Sequence, residues 1–369
     1  MYVQRVLVAG LGGESWTVLD DEGAPIAAIE RFLAYLSVIE RSPNTVKAYA
    51  HDLKDFFEFL MVKGVVWERV SLELLGQYVS WLRLAPAARS GRVALLPSVP
   101  AHLTASSVNR KLAALGAFYR HAARGGVDVG DLLVTWRPGG RGTGAWKPFL
   151  HHVSKGAPHQ ARAIVLKEPR RLPRVLTAVE AQAILDACRF LRDRFLFALL
   201  YETGMRIGEA LGLRHEDIAA AEREIAVRHR DNANGARSKS AGERVVPVSA
   251  QLLRLYADYL HQEYGQLDSD YVFVNLRAAP LGRALEYRAA YDLVQRLRRR
   301  TGIEFSPHWF RHTAATRLLR DGVPIEIVST LLGHSSITTT LSIYGHLTAA
   351  DARAVLDNAG WFADTQVAW

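Results

Sequence analysis

From Ile26 to Gly126 the apolar residues return every three or four positions, and between Val127 and Arg174 that rhythm stops. A chain with this break folds as a helical unit, a non-helical connection and a second unit. In IAAIERFLAYLSVIE, Ile26, Ile29, Phe32, Leu33 and Leu36 fall on one stripe. Ser42-Pro43 reads as an N-cap followed by proline at the first helical position, opening NTVKAYAHDLKDFFEFLMVKG, which Gly64 closes. Tyr49, Leu53, Phe56 and Leu60 mark its inner face. LELLGQYVSWLRL forms a third helix. SVNRKLAALGAFYRHAARGG forms a fourth, capped by Ser106-Ser107, with Leu112, Leu115 and Tyr119 inward. The basic residues Lys47, Lys54, Arg110, Lys111, Arg120 and Arg124 have two readings, a solvated face or a row of phosphate contacts.

Ahead of this unit, YVQRVLVAG and ESWTVLD flank Gly12-Gly13 and predict a β-hairpin over residues 1–20. Behind it, the stretch from Arg137 to Arg174 carries nine Lys or Arg residues, Arg170 and Arg171 among them, against one acid, Glu168. A Gly/Pro-rich segment so basic is a flexible linker that a duplex backbone would attract. The remainder mixes elements. Helices are expected at 177–188, 190–203, 206–213, 285–300, 308–320, 324–332, 336–345 and 349–358. Strands are expected at 224–229 and 243–248, with YVFVN as a further short one. The boundaries are a hairpin extension 1–20, a helical domain 21–126, a linker 127–171 and a mixed domain 172–369, in all a mainly α chain with a small β-sheet.

The 369 residues carry a net charge of +9, which favours a polyanionic partner. No run reaches the roughly 18 apolar residues of a membrane span, and the N-terminus lacks the form of a secretory signal. The single cysteine, Cys188, allows no internal disulfide and no cysteine-based zinc site, so a reducing cytoplasm is the expected compartment. No His/Asp/Glu set has zinc-like spacing, and no GxxxxGK[ST] motif supports ATP-driven chemistry. Neither a metal nor a cofactor is expected.

Several polar residues stand in unusual surroundings. Arg206 lies in the otherwise apolar ALLYETGMRIGEALGL, where its guanidinium needs a partner, Glu209 one turn away or a ligand. Lys239 is the only lysine after Lys167 in a chain with 8 lysines and 38 arginines, and an ammonium can release a proton where a guanidinium scarcely does. His308 and Arg311, three apart after Ser306-Pro307, share one face at a helix start whose amide donors suit a phosphate, while His312 is expected to point elsewhere. His334 occupies a corner between two helices. Tyr344, just before Gly345, is either a packing residue or a nucleophile.

Taken together these segments resemble the tyrosine recombinases, the phage-integrase family. TGMRIGEALGLRHEDI resembles its first arginine box, SKSAGERVVPV its β-hairpin lysine and Arg-x-Val-Pro strand, and HWFRHTAATRLLRDG its His-x-x-Arg box. LLGHSSITTTLSIYGH resembles the box ending in the nucleophilic tyrosine. SPNTVKAYAHDLKDFFEFL and SVNRKLAALGAFYRHAARGG are similar to the family's core-binding helices.

The resemblance implies a catalytic set of Arg206, Lys239, His308, Arg311, His334 and Tyr344; from the basic residues, Lys47, Arg110, Lys111, Arg170 and Arg171 are expected as DNA contacts. It also implies a C-shaped clamp around double-stranded DNA, four protomers on two duplexes, and room for a helper recombinase or accessory protein. Attack by Tyr344 would leave a 3′-phosphotyrosyl bond. The long linker and the hairpin are more like the family's transposase members. Two alternatives share the scaffold: a type IB topoisomerase, and a DNA-binding protein without catalysis.

Overall fold

The computed structural model describes residues 1–7, 14–89, 101–127, 134–137, 159–168, 174–230, 232–236 and 242–333. The chain divides into two units, Met1–Arg170 and Arg171–Trp369.

The first unit opens with the expected hairpin. Strands β1 (Tyr2–Leu7) and β2 (Glu14–Leu19) pair antiparallel in the register Tyr2↔Leu19 to Leu7↔Glu14; the Gly12-Gly13 turn lies outside the described residues. Four helices follow: α1 (Ala27–Val38), α2 (Pro43–Lys63), α3 (Leu72–Arg83) and α4 (Ala105–Arg124). Ser42 caps α2 by accepting the Thr45 N–H at 3.3 Å, and Gly64 ends it in the left-handed region at φ 64°. The cap of α4 is Thr104, accepting the Ser107 N–H at 3.3 Å, so the cap stands two residues ahead of the expected Ser106. A hydroxyl three residues before an open N–H is what the geometry asks for, and Thr104 meets it.

The inner faces match the sequence stripes. Ile29, Phe32, Leu53, Phe56, Leu112 and Leu115 are buried in one core, each large apolar side chain contributing about 1.5–3 kcal/mol. The hairpin belongs to that core, since Val18 of β2 is buried in it and Thr17 hydrogen-bonds Glu30 of α1.

The stretch expected to be all linker contains structure. Strands β3 (Val134–Arg137) and β4 (His159–Arg162) pair antiparallel across it. Beyond them, the Asn109 side chain donates to the Leu166 carbonyl and accepts the Leu166 N–H, both at 2.9 Å, and donates to Glu168 at 2.7 Å. Ile164 and Leu166 pack against the helical core. The Gly/Pro-rich setting hid this ribbon, whose paired strands lie more than 20 residues apart in sequence.

The second unit contains α5 (Ala178–Asp186), α6 (Leu191–Thr203) and α7 (Ile207–Leu211), then a three-stranded antiparallel sheet of β5 (Ile218–Ala219), β6 (Glu224–Val227) and β7 (Arg244–Pro247). Next come α8 (Ala250–Tyr259), α9 (Tyr287–Thr301), α10 (Pro307–Arg320) and α11 (Ile325–Leu332). Helix α8 is absent from the expectations, though Ser249 caps it at Leu252 N–H and Leu252 and Tyr259 are buried. YVFVN is not a strand. It makes isolated bridges at Tyr271 and Val274, and Val272, Phe273 and Val274 are fully buried. An apolar run records burial, and here Phe273 stacks on Phe195 of α6 while the Val272 carbonyl accepts the Tyr259 hydroxyl of α8. The helices expected at 336–345 and 349–358 lie outside the described residues. Among the described residues no helix is long and apolar enough to cross a membrane.

Candidate active site

Helix α11 ends at Gly333, whose φ of 65° stops the helix and leaves the last carbonyls without intrahelical donors. Three arginines from three other elements take three successive ones. Arg244 of β7 donates Nε to the Leu331 oxygen at 2.8 Å. Arg311 of α10 donates Nη2 to the Leu332 oxygen at 2.7 Å. Arg206, the N-cap residue of α7, donates Nη2 to the Gly333 oxygen at 3.5 Å. Cations at a helix C-terminus meet the negative end of its dipole, a contribution of up to about 2 kcal/mol in partly buried sites.

Each arginine is further constrained. Arg311 is 2% exposed and donates Nη1 to the Gly204 oxygen at 2.9 Å. Gly204 closes α6 at φ 65°, and a Cβ there would stand 2.7 Å from Leu332 and 3.1 Å from Ala314. Only glycine lets α6 end this close to α10 and α11. Arg206 is held as the sequence suggested, by Glu209. The carboxylate accepts Arg206 Nη1 at 2.8 Å and the Arg206 amide at 3.0 Å. That same carboxylate accepts Arg244 Nη2 at 2.6 Å. Glu209 is fully buried at its side chain. Burial alone would raise its pKa, but the Arg244 hydrogen bond and charge, with help from Arg206, hold it below the ordinary carboxylate value. Arg206 keeps 24% of its side chain exposed, so the cluster has one solvent-facing cation standing on a buried Glu–Arg base.

In the sequence Arg244 figures only as the arginine of the Arg-x-Val-Pro strand, with no role given. Alternation along β7 puts it on the same face as Val246, which is buried, and a charged residue on an inward face is the signal that was available. His308, in the first turn of α10, is exposed. Its ring meets that of His312 edge-on, centroids 4.3 Å apart, so His312 does not point elsewhere as expected: the i,i+4 spacing brings the two together. Lys239, His334 and Tyr344 lie outside the described residues, as do Arg170 and Arg171.

In the helical unit the expected DNA contacts fare differently. Lys47 is exposed and lies 4.4 Å from the Trp16 ring centre. Arg110 grips both carboxylate oxygens of Asp52, one at 2.8 Å, while its side chain stays 52% exposed. Lys111 is instead buried, its ammonium 3.0 Å from Asp52 and 2.7 Å from Asp55. A phosphate would reach it only by breaking two ion pairs, so the expectation of a solvated contact gives way to a structural role joining α4 to α2. Asp52 is fully buried, and Asp52→Ala should cost about 2–3 kcal/mol because it strips both cations of a partner while Asp55 retains part of the pairing. Urea unfolding followed by the tryptophans of this unit measures that loss; a change near zero would show the pairs to be energetically idle.

The phage integrase family model matches residues 174–351, and the phage integrase N-terminal SAM-like domain model matches residues 29–126. The chain belongs to the phage integrase family, the DNA strand-exchanging tyrosine recombinases. Transposase A from transposon Tn554 of Staphylococcus aureus is 39% identical over 355 residues, covering 96% of each chain. Tyrosine recombinase XerD of Mycobacterium leprae is 31% identical over 348 residues, 89% of this chain and 94% of the relative. Two solved structures share the fold. The Tn1549 transposon integrase in complex with transposon right end DNA has a TM-score of 0.60 at 17% identity, covering 90% of this chain and 98% of that one. A lambda integrase dimer bound to a COC′ core site has a TM-score of 0.58 at 16% identity, covering 86% and 94%.

Proposed function

We propose that this recombinase breaks and rejoins duplex DNA at specific sites through Tyr344, as a transposase-type member that moves a DNA element. The observation that carries the reading is the convergence of Arg206 and Arg311, 105 positions apart, on adjacent carbonyls of one helix end. The tyrosine oxygen attacks the scissile phosphorus, the bond to the 5′ oxygen breaks, and a 3′-phosphotyrosyl ester keeps the bond energy for rejoining. Negative charge grows on the non-bridging oxygens as the attack proceeds. The hydrogen bonds of Arg311 to the Gly204 and Leu332 carbonyls fix the plane of its guanidinium. Arg206 and Arg311 thus form a preorganised clamp for those oxygens. His334 adds a donor, and His308 helps take the tyrosine proton.

Lys239 gives the leaving 5′ oxygen its proton. Its substitution by alanine should slow cleavage by roughly 10²–10⁴-fold. The loss should be recovered on a substrate with a 5′-thiol leaving group, which needs no proton. An unrecovered rate in single-turnover cleavage would remove the general-acid role. The cationic side chains carry the charge, so the chemistry asks for no metal or nucleotide.

Lys47 and Arg110 offer exposed cations of the helical unit to the phosphate backbone, and Arg170 and Arg171 extend the basic connection. Exchange between two duplexes needs four cuts, hence four protomers, with any helper protein acting on that assembly in the cytoplasm. Supercoiled plasmids with and without a pair of element ends test the whole reading. Site-dependent exchange supports it, and relaxation without site preference would indicate a topoisomerase.

A further inference from the structure

We propose that Arg244 is a positioning residue for strand cleavage, setting the direction of Arg206 through Glu209 and the position of the α11 end that the clamp rests on. The inference rests on the reading of Arg206 and Arg311 as the phosphate clamp.

Arg244 has 6% of its side chain exposed and stands on β7, away from the two clamp arginines in sequence. Its guanidinium works along two edges at once. Nη2 holds the Glu209 oxygen at 2.6 Å, and Nε holds the Leu331 carbonyl at 2.8 Å. Glu209 in turn holds Arg206 by both its amide and its guanidinium. Without Arg244, the buried Glu209 would lose its 2.6 Å ion pair and would draw Arg206 inward. The fit is close: a Cβ on Gly333 would stand 2.7 Å from Arg244 Nη1 and 3.0 Å from its Cζ. The guanidinium therefore lies against the backbone of the residue whose carbonyl Arg206 takes and which immediately precedes His334. β7 also borders the loop that carries Lys239, so one side chain ties the hairpin, the α7 start and the α11 end together. A lysine supplies a charge but not a two-edged fork.

The test is single-turnover formation of the covalent adduct by the full chain, together with DNA affinity and thermal unfolding. Arg244→Gln should cleave roughly 10- to 100-fold more slowly, because a misplacement near 1 Å suffices for that. DNA affinity should stay within about threefold. On a substrate whose scissile phosphate carries a methyl group in place of one non-bridging oxygen, the charge to be clamped is smaller. The penalty should then fall to about threefold or less. It should shrink likewise in a Glu209→Gln background, as expected of residues acting in one chain. An equal penalty on both substrates, an affinity loss as large as the rate loss, or undiminished cleavage would overturn the proposal. Should Arg244→Gln not fold, Arg244→Lys is read by the same ratio, and native-like cleavage by it would overturn the two-edged role. Undiminished cleavage by Arg206→Lys would instead remove the clamp reading itself, a result distinguishable from any of these.

Discussion

Tyr344→Phe is expected to bind element-end DNA as the unsubstituted chain does and to form no covalent adduct. The change removes one oxygen and leaves the ring. It deletes the atom that bonds to phosphorus while sparing the cations that bring DNA in. The single thiol, Cys188, is half-buried in the second unit, and burial pushes its pKa up to about 12, so it is a poor replacement for the phenol. The fall in adduct should be at least about 10³-fold, which corresponds to about 4 kcal/mol of barrier. Denaturing gels separate the covalent species, and a native gel on the same samples reports binding. An undiminished adduct would mean that another residue is the nucleophile and would end the assignment.

Arg311→Lys is expected to lower cleavage by about 10²–10³-fold, the range for removal of one preorganised donor to a developing oxyanion. Charge is conserved, so the loss isolates geometry. The guanidinium spans the Gly204 and Leu332 carbonyls from a position 2% exposed. A single ammonium satisfies one of them and leaves the other buried without a donor. The accompanying loss of stability should be about 1–3 kcal/mol. Urea unfolding measures the second effect, and cleavage well below the transition midpoint measures the first. If the rate fell only in proportion to the unfolded fraction, Arg311 would be a brace for α6 and α11 and not part of the clamp.

The helices of the first unit were legible because their causes are local. A stripe such as Ile29, Phe32, Leu33 and Leu36 is visible within four turns, and Ser42-Pro43 and Gly64 punctuate α2 in the chain itself. Arg206 with Glu209 was legible for the same reason, three residues apart on one short helix. The 134–137 and 159–162 ribbon was not, because neither strand carries the pattern and the partner is more than 20 residues away. Neither reading of Lys111, a solvated face or a phosphate contact, anticipates its burial, because that depends on Asp52 and Asp55 of another helix.

The amino-acid order by itself determined the helical stripes, their caps, the four boxes and hence the family to which the chain belongs. Tertiary structure alone decided what holds each cation: Lys111 locked between two carboxylates, Arg311 fastened to two carbonyls, and Arg244 joined to Glu209. The reason is physical. Periodicity and capping act across a few bonds, whereas the partner of a buried charge is chosen by whichever segments the fold closes upon one another.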